Sequence, residues 1–213
     1  MNYLLLLDSV GLPRPRNGVG YEDTLMGHLA EGNHLWVLSK PGATVTDMVT
    51  DAYDLSEVMP QDFFDISIIQ VGLADCAPRP ITDHLRNVIG RLPAGKRILI
   101  RLLHTFRPFI QRYMRYYQRV QYPRFRMAYG KLLWATKRIS KRVMVVTIPP
   151  VLSGVDAHSP GFQYEVARYN AAIDGIAHNY HCVVVDPTPI FLVDPSLYLT
   201  KDAHLTKAGI EIV

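Results

Sequence analysis

The sequence has little sulfur chemistry: of its 213 residues only Cys76 and Cys182 are cysteines. Two thiols make no disulfide framework, so a stapled miniprotein is excluded and a reducing compartment is expected. Long apolar runs are also missing. No stretch approaches the roughly 20 apolar residues that span a bilayer, and the N-terminal run Tyr3–Leu7 is too short for a secretory h-region. These absences predict a soluble, cytoplasmic protein. Dinucleotide-type Gly-rich, phosphate-loop and His-Glu-x-x-His patterns are lacking, and His178 and His181 have no paired cysteines beside them, so neither cofactor nor metal is expected. Repeats and low-complexity linkers are absent too.

Acid is scarce in one region. From Arg79 to Arg142 there are 17 Lys or Arg and a single acidic residue, Asp83, whereas the remainder holds 6 basic and 18 acidic residues. The modest net charge of +4 therefore hides an acidic body with a strongly basic middle. Such asymmetry points to an anionic partner or an acidic docking surface.

What the chain does have is alternation. Five short apolar runs, Tyr3–Leu7, His34–Leu38, Asp65–Val71, Arg142–Ile148 and His181–Val185, are bounded by turn or helix signals. Continuous apolarity is the mark of parallel strands covered on both faces. Helical spacing fills Tyr21–Ala30, Thr44–Ala52, Pro123–Ile139 and Phe162–His178, with Pro123 and Pro160-Gly161 as start signals. At 48% hydrophobic residues the chain can build a sizeable core, and its length suits one domain over 1–213. The pattern predicts an α/β sandwich on a parallel sheet with right-handed crossovers.

One crossover is too long. Seventy residues lie between Val71 and Arg142, against a dozen or more for a minimal connection. Phe106, Phe109, Ile110, Tyr113, Tyr117 and Val120 fall at i, i+3, i+4, i+7 spacing, so residues 105–121 are predicted to form one amphipathic basic helix. Residues 94–104 lean towards helix. A basic helical insertion over about 79–122 results. Its aromatic stripe is expected to pack on the body with Arg112, Arg115 and Arg119 solvated. An anionic glycan or membrane surface at 107–142 is the alternative, with nucleic acid less favoured.

Open α/β sheets bind ligands outside the carboxyl ends of their strands. There the sequence places Asp8-Ser9, then Ser39-Lys40-Pro41-Gly42-Ala43-Thr44, then Val71-Gly72-Leu73-Ala74-Asp75-Cys76-Ala77-Pro78-Arg79, and finally Asp202-Ala203-His204-Leu205-Thr206. A serine on a tight turn can present its hydroxyl, and a glycine at a helix start an unobstructed amide. Asp75 can brace its loop through backbone hydrogen bonds. Cys76 and Cys182 read as buried thiols.

In this order the four blocks resemble the SGNH (GDSL) hydrolase family, and SPGFQYEVARYN resembles members found among bacterial surface-polysaccharide genes. The resemblance implies a flavodoxin-like three-layer α/β/α sandwich with five parallel strands, and serine ester hydrolysis or acyl transfer. By position it makes Ser9 the nucleophile and His204 the general base, with the N–H groups of Ser9 and Gly42 as oxyanion donors. A serine hydroxyl needs such an imidazole to lose its proton during attack. Three positions depart from the pattern: Leu7 replaces the opening glycine, Ala74 the oxyanion asparagine, and Lys201 the carboxylate three residues before the histidine. Arg79 is the candidate replacement donor, with Asp75 a further substrate or oxyanion candidate, and Asp202 is the candidate to orient His204. The function implied is a carbohydrate O-acetyl or O-acyl esterase without cofactor. Its alternatives are an O-acyltransferase or a non-catalytic member binding anionic glycan or membrane.

Overall fold

The apolar runs become five strands of one sheet in a computed structural model, which describes residues 1–8, 21–92, 95–113, 117–199 and 204–212. β1 (Asn2–Leu7), β2 (His34–Ser39), β3 (Phe64–Gln70), β4 (Ser140–Val146) and β5 (Val183–Val185) are all parallel, in the order β2-β1-β3-β4-β5. Consecutive residues Leu4 to Leu7 on β1 are 0–1% exposed. Since neighbouring side chains point to opposite faces, both faces must be covered, as the continuous apolar runs required.

The covering helices are, in chain order, α1 (Tyr21–His28), α2 (Val45–Val58), the single turn α3 (Leu73–Cys76), α4 (Asp83–Gly90), α5 (Lys96–Thr105), α6 (Arg107–Tyr113), α7 (Tyr122–Ile139), α8 (Ser153–His158), α9 (Phe162–Asn179), two further turns α10 (Thr188–Phe191) and α11 (Pro195–Tyr198), and α12 (Lys207–Ile212). α7 packs between α2 and α9 on one face, and α1 meets α12 on the other. The sides follow from handedness: β1 to β2 steps one way along the sheet and β2 to β3 steps back, so right-handed crossovers put α1 and α2 on opposite faces. This is the three-layer α/β/α sandwich on five parallel strands that the SGNH resemblance implied.

α7 anchors one face because its apolar residues recur at helical spacing. Phe125, Tyr129, Leu132, Leu133, Thr136 and Ile139 are buried while Arg124, Arg126 and Lys131 stay outside. Phe125 meets Tyr169 of α9 at 4.6 Å between ring centroids, and the Tyr169 hydroxyl donates to the Val120 carbonyl at 2.7 Å.

The insertion departs from expectation. Residues 105–121 are not one helix: α6 ends at Tyr113, and Tyr117 pairs antiparallel with Arg79 through N–H···O bonds of 2.7 and 2.9 Å. That pairing needs extended backbone, which breaks the helical stripe. Phe106, Phe109, Tyr113 and Tyr117 are 53, 59, 69 and 42% exposed, so most of the stripe does not pack on the body. Only Val120, beyond the break, is fully buried. The stretch 94–104 contributes to α5 as helix, whereas α4, capped by the Thr82 hydroxyl accepting from Leu85 N–H at 3.3 Å, was not anticipated. Cys76 is buried, but Cys182 is only half-buried, so a single thiol fits the expectation for both.

Phe125→Ala should cost about 3–5 kcal/mol, the usual range for emptying a buried aromatic site. Phe109→Ala on the exposed face should change stability by less than about 0.5 kcal/mol. Urea unfolding of the two variants checks the contrast.

Candidate active site

At the carboxyl edge of the sheet the chain leaves β1 at Asp8, which is 1% exposed. Its Oδ2 accepts from the N–H groups of Gly72 and Leu73 at 3.1 Å each, and its own N–H donates to the Gln70 carbonyl at 3.1 Å. Its carbonyl in turn accepts from the Ser39 hydroxyl at 3.3 Å. Through its side chain and its backbone, one short acidic residue thus ties the ends of β1, β2 and β3. Gly72 stands at φ +132°, open to glycine but not to larger residues, and a Cβ there would lie 2.8 Å from Ile148.

The β2 exit is a turn of Lys40-Pro41-Gly42-Ala43, closed by Ala43 N–H donating to the Lys40 carbonyl at 3.1 Å. Proline at the second position and glycine at the third, at φ +64°, are what a type II turn requires. Thr44 then caps α2, its N–H and hydroxyl donating to Asp47 at 2.8 and 2.7 Å. The next amide, Val45 N–H, donates to both oxygens of Asp75 at 3.1 Å. Asp75 is fully buried, and burial pushes its carboxyl up to about 7, a rise that the Val45 amide opposes and the charge of Asp8 reinforces. Asp75, read from sequence both as a loop brace and as a substrate or oxyanion candidate, here ties the second loop to the third through the Val45 amide.

His204 is positioned by its successors. Leu205, 1% exposed, bridges to Leu199, while Thr206 N–H donates to the Tyr198 carbonyl at 2.9 Å and its hydroxyl to Leu197 at 2.6 Å. The same hydroxyl accepts from Gly209 N–H at 3.1 Å, starting α12. Gly209 lies so close to Tyr198 that a Cβ would sit 2.3 Å from its carbonyl oxygen.

These segments converge on a cleft of about 890 Å³ whose lining includes Gly42, Ala74, Arg79 and His204, along with Arg107. Four residues singled out from sequence, drawn from two loops and the region before α12, thus share one cavity. The far wall is α8 and the start of α9, with His158 and Phe162 facing in. Asn170 fixes that wall by exchanging two 2.8 Å bonds with the backbone of Ile148, and Gln163 accepts from Val151 N–H at 2.9 Å. Both lie in the SPGFQYEVARYN stretch. Ser9 and Asp202 lie outside the described residues, as does Lys201.

Sequence reasoning missed Arg107 as a site residue. Its Nη2 donates to the Pro78 carbonyl at 3.0 Å, shared with Gln111 Nε2 at 2.9 Å, while its Nε is buried without a partner. Burial and the charge of Arg79 lower its affinity for a proton. Two arginines, Arg79 and Arg107, and no Asp or Glu are among the described residues lining the cleft. The signal available was the run of bases after the third block, which does not say which arginine turns inward. α8 was missed because a six-residue helix leaves little periodicity.

A sequence model of the GDSL-like Lipase/Acylhydrolase family matches residues 8–212. The chain belongs to that family. It is accordingly a carboxylic ester hydrolase by class. Among solved structures it is similar to a lipase/acylhydrolase from Enterococcus faecalis, at TM-score 0.63 and 16% identity, covering 99% of this chain and 90% of the other. An acetylxylan esterase from Geobacillus stearothermophilus matches at TM-score 0.62 and 18% identity over 99% and 89%. A member of the lipolytic G-D-S-L family from Veillonella parvula matches at 0.62 and 12% over 99% and 92%. Among curated proteins no sequence matches.

Two predictions test the frame of this esterase. The Asp75 carboxyl binds its proton more tightly folded than unfolded, so between the ordinary value of 3.8 and about 7 the folded chain holds the extra proton. Stability should therefore fall as pH rises through that window. Asp75→Asn keeps an acceptor for Val45 N–H without the ionisation. It should match the native melting temperature near pH 4 and exceed it near pH 7.5 by roughly 3 °C or more. Gly209→Ala, which at an unconstrained helical site would stabilise by up to about 1 kcal/mol, should here destabilise by about 1–3 kcal/mol through overpacking. Thermal unfolding gives the sign.

Proposed function

We propose that the protein removes O-acetyl or other O-acyl groups from a carbohydrate by serine catalysis, with Ser9 as nucleophile and His204 as general base. The observation that carries this reading is the meeting of His204 with Gly42, Ala74 and Arg79 around one cleft. Asp8, the residue before Ser9, is fixed to the Gly72-Leu73 amides. The His204 imidazole takes the Ser9 proton as the hydroxyl attacks the ester carbonyl, then returns it to the departing sugar oxygen. The acyl group passes to Ser9 and is released by water activated by the same imidazole. Asp202 orients the ring, and the N–H groups of Ser9 and Gly42 hold the oxyanion. Arg79 supplies the donor that Ala74 lacks.

A carbohydrate substrate is favoured by the resemblance of SPGFQYEVARYN to polysaccharide-cluster members and by the fold shared with the acetylxylan esterase. The two arginines in the cleft's described lining, Arg79 and Arg107, favour a glycan that carries negative charge. A sugar hydroxyl in place of water would make the same acyl-enzyme an O-acyltransferase. The second reading, a non-catalytic binder of anionic glycan, draws on one observation: the cleft residue at the usual amide donor's place is alanine.

Hydrolysis of p-nitrophenyl acetate and labelling by a fluorophosphonate decide between them. Ser9→Ala should abolish labelling and lower turnover by about 10³-fold or more, and Arg79→Ala should lower kcat by about 10²–10³-fold with the fold intact. Turnover undiminished in Ser9→Ala removes the serine mechanism. A native chain that neither turns over nor labels establishes the binding reading.

A further inference from the structure

Ten of the 23 large apolar residues exposed among the described residues fall between Leu85 and Tyr113. They include Leu85 and Val88 on α4, Ile98, Leu99 and Leu102 on α5, and Phe109 on α6, between 36 and 68% exposed. Every residue of α5 from Lys96 to Leu102 is exposed, and of the described residues beyond them in the helix only Leu103 is half-buried. Ile98 and Leu102 stand four apart on one side and Arg97 and Arg101 four apart on another, an amphipathic helix whose apolar side none of the described residues buries. Monomers rarely leave a contiguous apolar patch of this extent uncovered.

Charge selects what covers it. Residues 84–113 contain seven Lys or Arg and no Asp or Glu. A second copy laid face to face would bring two such sets together, an arrangement opposed by like-charge repulsion. Nucleic acid would meet the arginines but leave the aliphatic side chains in water. An anionic bilayer satisfies both demands, taking the apolar side chains at the acyl boundary and the bases at the headgroups. None of the described helices is long and apolar enough to cross a membrane, so contact is along the surface.

We propose that α4, α5 and the exposed face of α6 form an interfacial anchor that seats this protein on anionic lipid. The anchor adjoins the cleft. Arg86, Ile100 and Leu103 on its inner side line a pocket of about 320 Å³ that shares Ala77, Arg79 and Arg107 with the cleft. Seated in this way, the cleft mouth faces substrates held at the membrane surface. The docking stands apart from the serine mechanism, because no residue used for insertion takes part in it.

Flotation with phosphatidylcholine vesicles, with and without an equal part of phosphatidylglycerol, tests the anchor. The full chain should float with the anionic vesicles only, and less at high salt. The paired change Ile98→Ser and Leu102→Ser should reduce partitioning by more than about tenfold. Neutralising Arg97→Gln and Arg101→Gln should reduce it by about fivefold for each charge. All four positions are exposed, so melting temperature and p-nitrophenyl acetate turnover should stay at native values. No flotation at low salt, flotation that ignores these changes, or a dimer in light scattering that the paired serine change dissociates would each overturn the proposal. If Ser9→Ala floats normally while turnover is lost, docking and catalysis are separate; if the native chain floats but never turns over, only the catalytic reading fails.

Discussion

Two buried carboxylates hold the catalytic edge of this molecule together. Asp8 accepts from the amides that open α3, and Asp75 accepts from the amide that opens α2. Loop amides at the end of a sheet are orphan donors, and burying them without acceptors is costly. Filling them with aspartates from neighbouring loops satisfies the donors and links three loops that are distant in sequence. The cost appears at Asp75, where burial beside another acid favours the protonated form. The edge therefore gains fixed geometry in exchange for sensitivity to pH.

Much of this was legible in the sequence because it rests on local pattern. Apolar runs such as Tyr3–Leu7 named the strands, and Pro123 and Pro160-Gly161 marked helix starts within a residue or two. Gly42 followed from turn chemistry. What could not be read was long-range pairing. The stripe at Phe106–Val120 has faultless helical spacing, yet the two hydrogen bonds between Arg79 and Tyr117 break it, and no periodicity reveals a partner 38 residues away. The inward turn of Arg107 is hidden for the same reason, since it depends on the Pro78 carbonyl rather than on neighbours in its own helix.

The insertion is two structures joined in one. On its inner side it is tied to the site: Arg119 donates to the Gly42 carbonyl, Arg107 and Gln111 share the Pro78 carbonyl, and Tyr117 pairs with Arg79. These bonds fix the backbone of the second and third loops from outside the sheet, complementing Asp8 and Asp75 within it. On its outer side α5 buries almost nothing of itself. Tight bonding on one side and bare aliphatic surface on the other is costly in water for a body that already has a complete core. A partner at the outer side removes that cost.

The same asymmetry bears on the missing asparagine. An amide at the place of Ala74 would be a neutral donor in the cleft wall. In the role proposed for it, Arg79 gives instead a full positive charge, stronger towards an oxyanion and also towards any other anion. Arg79 and Arg107 stand close enough to oppose each other's charge, and both line the cleft. Negative charge placed between the two, whether the transient charge of a tetrahedral intermediate or a fixed one on the substrate, is attracted by both. Under the proposed function, such a cleft discriminates by charge before it discriminates by shape, at the point where the basic insertion joins the sheet.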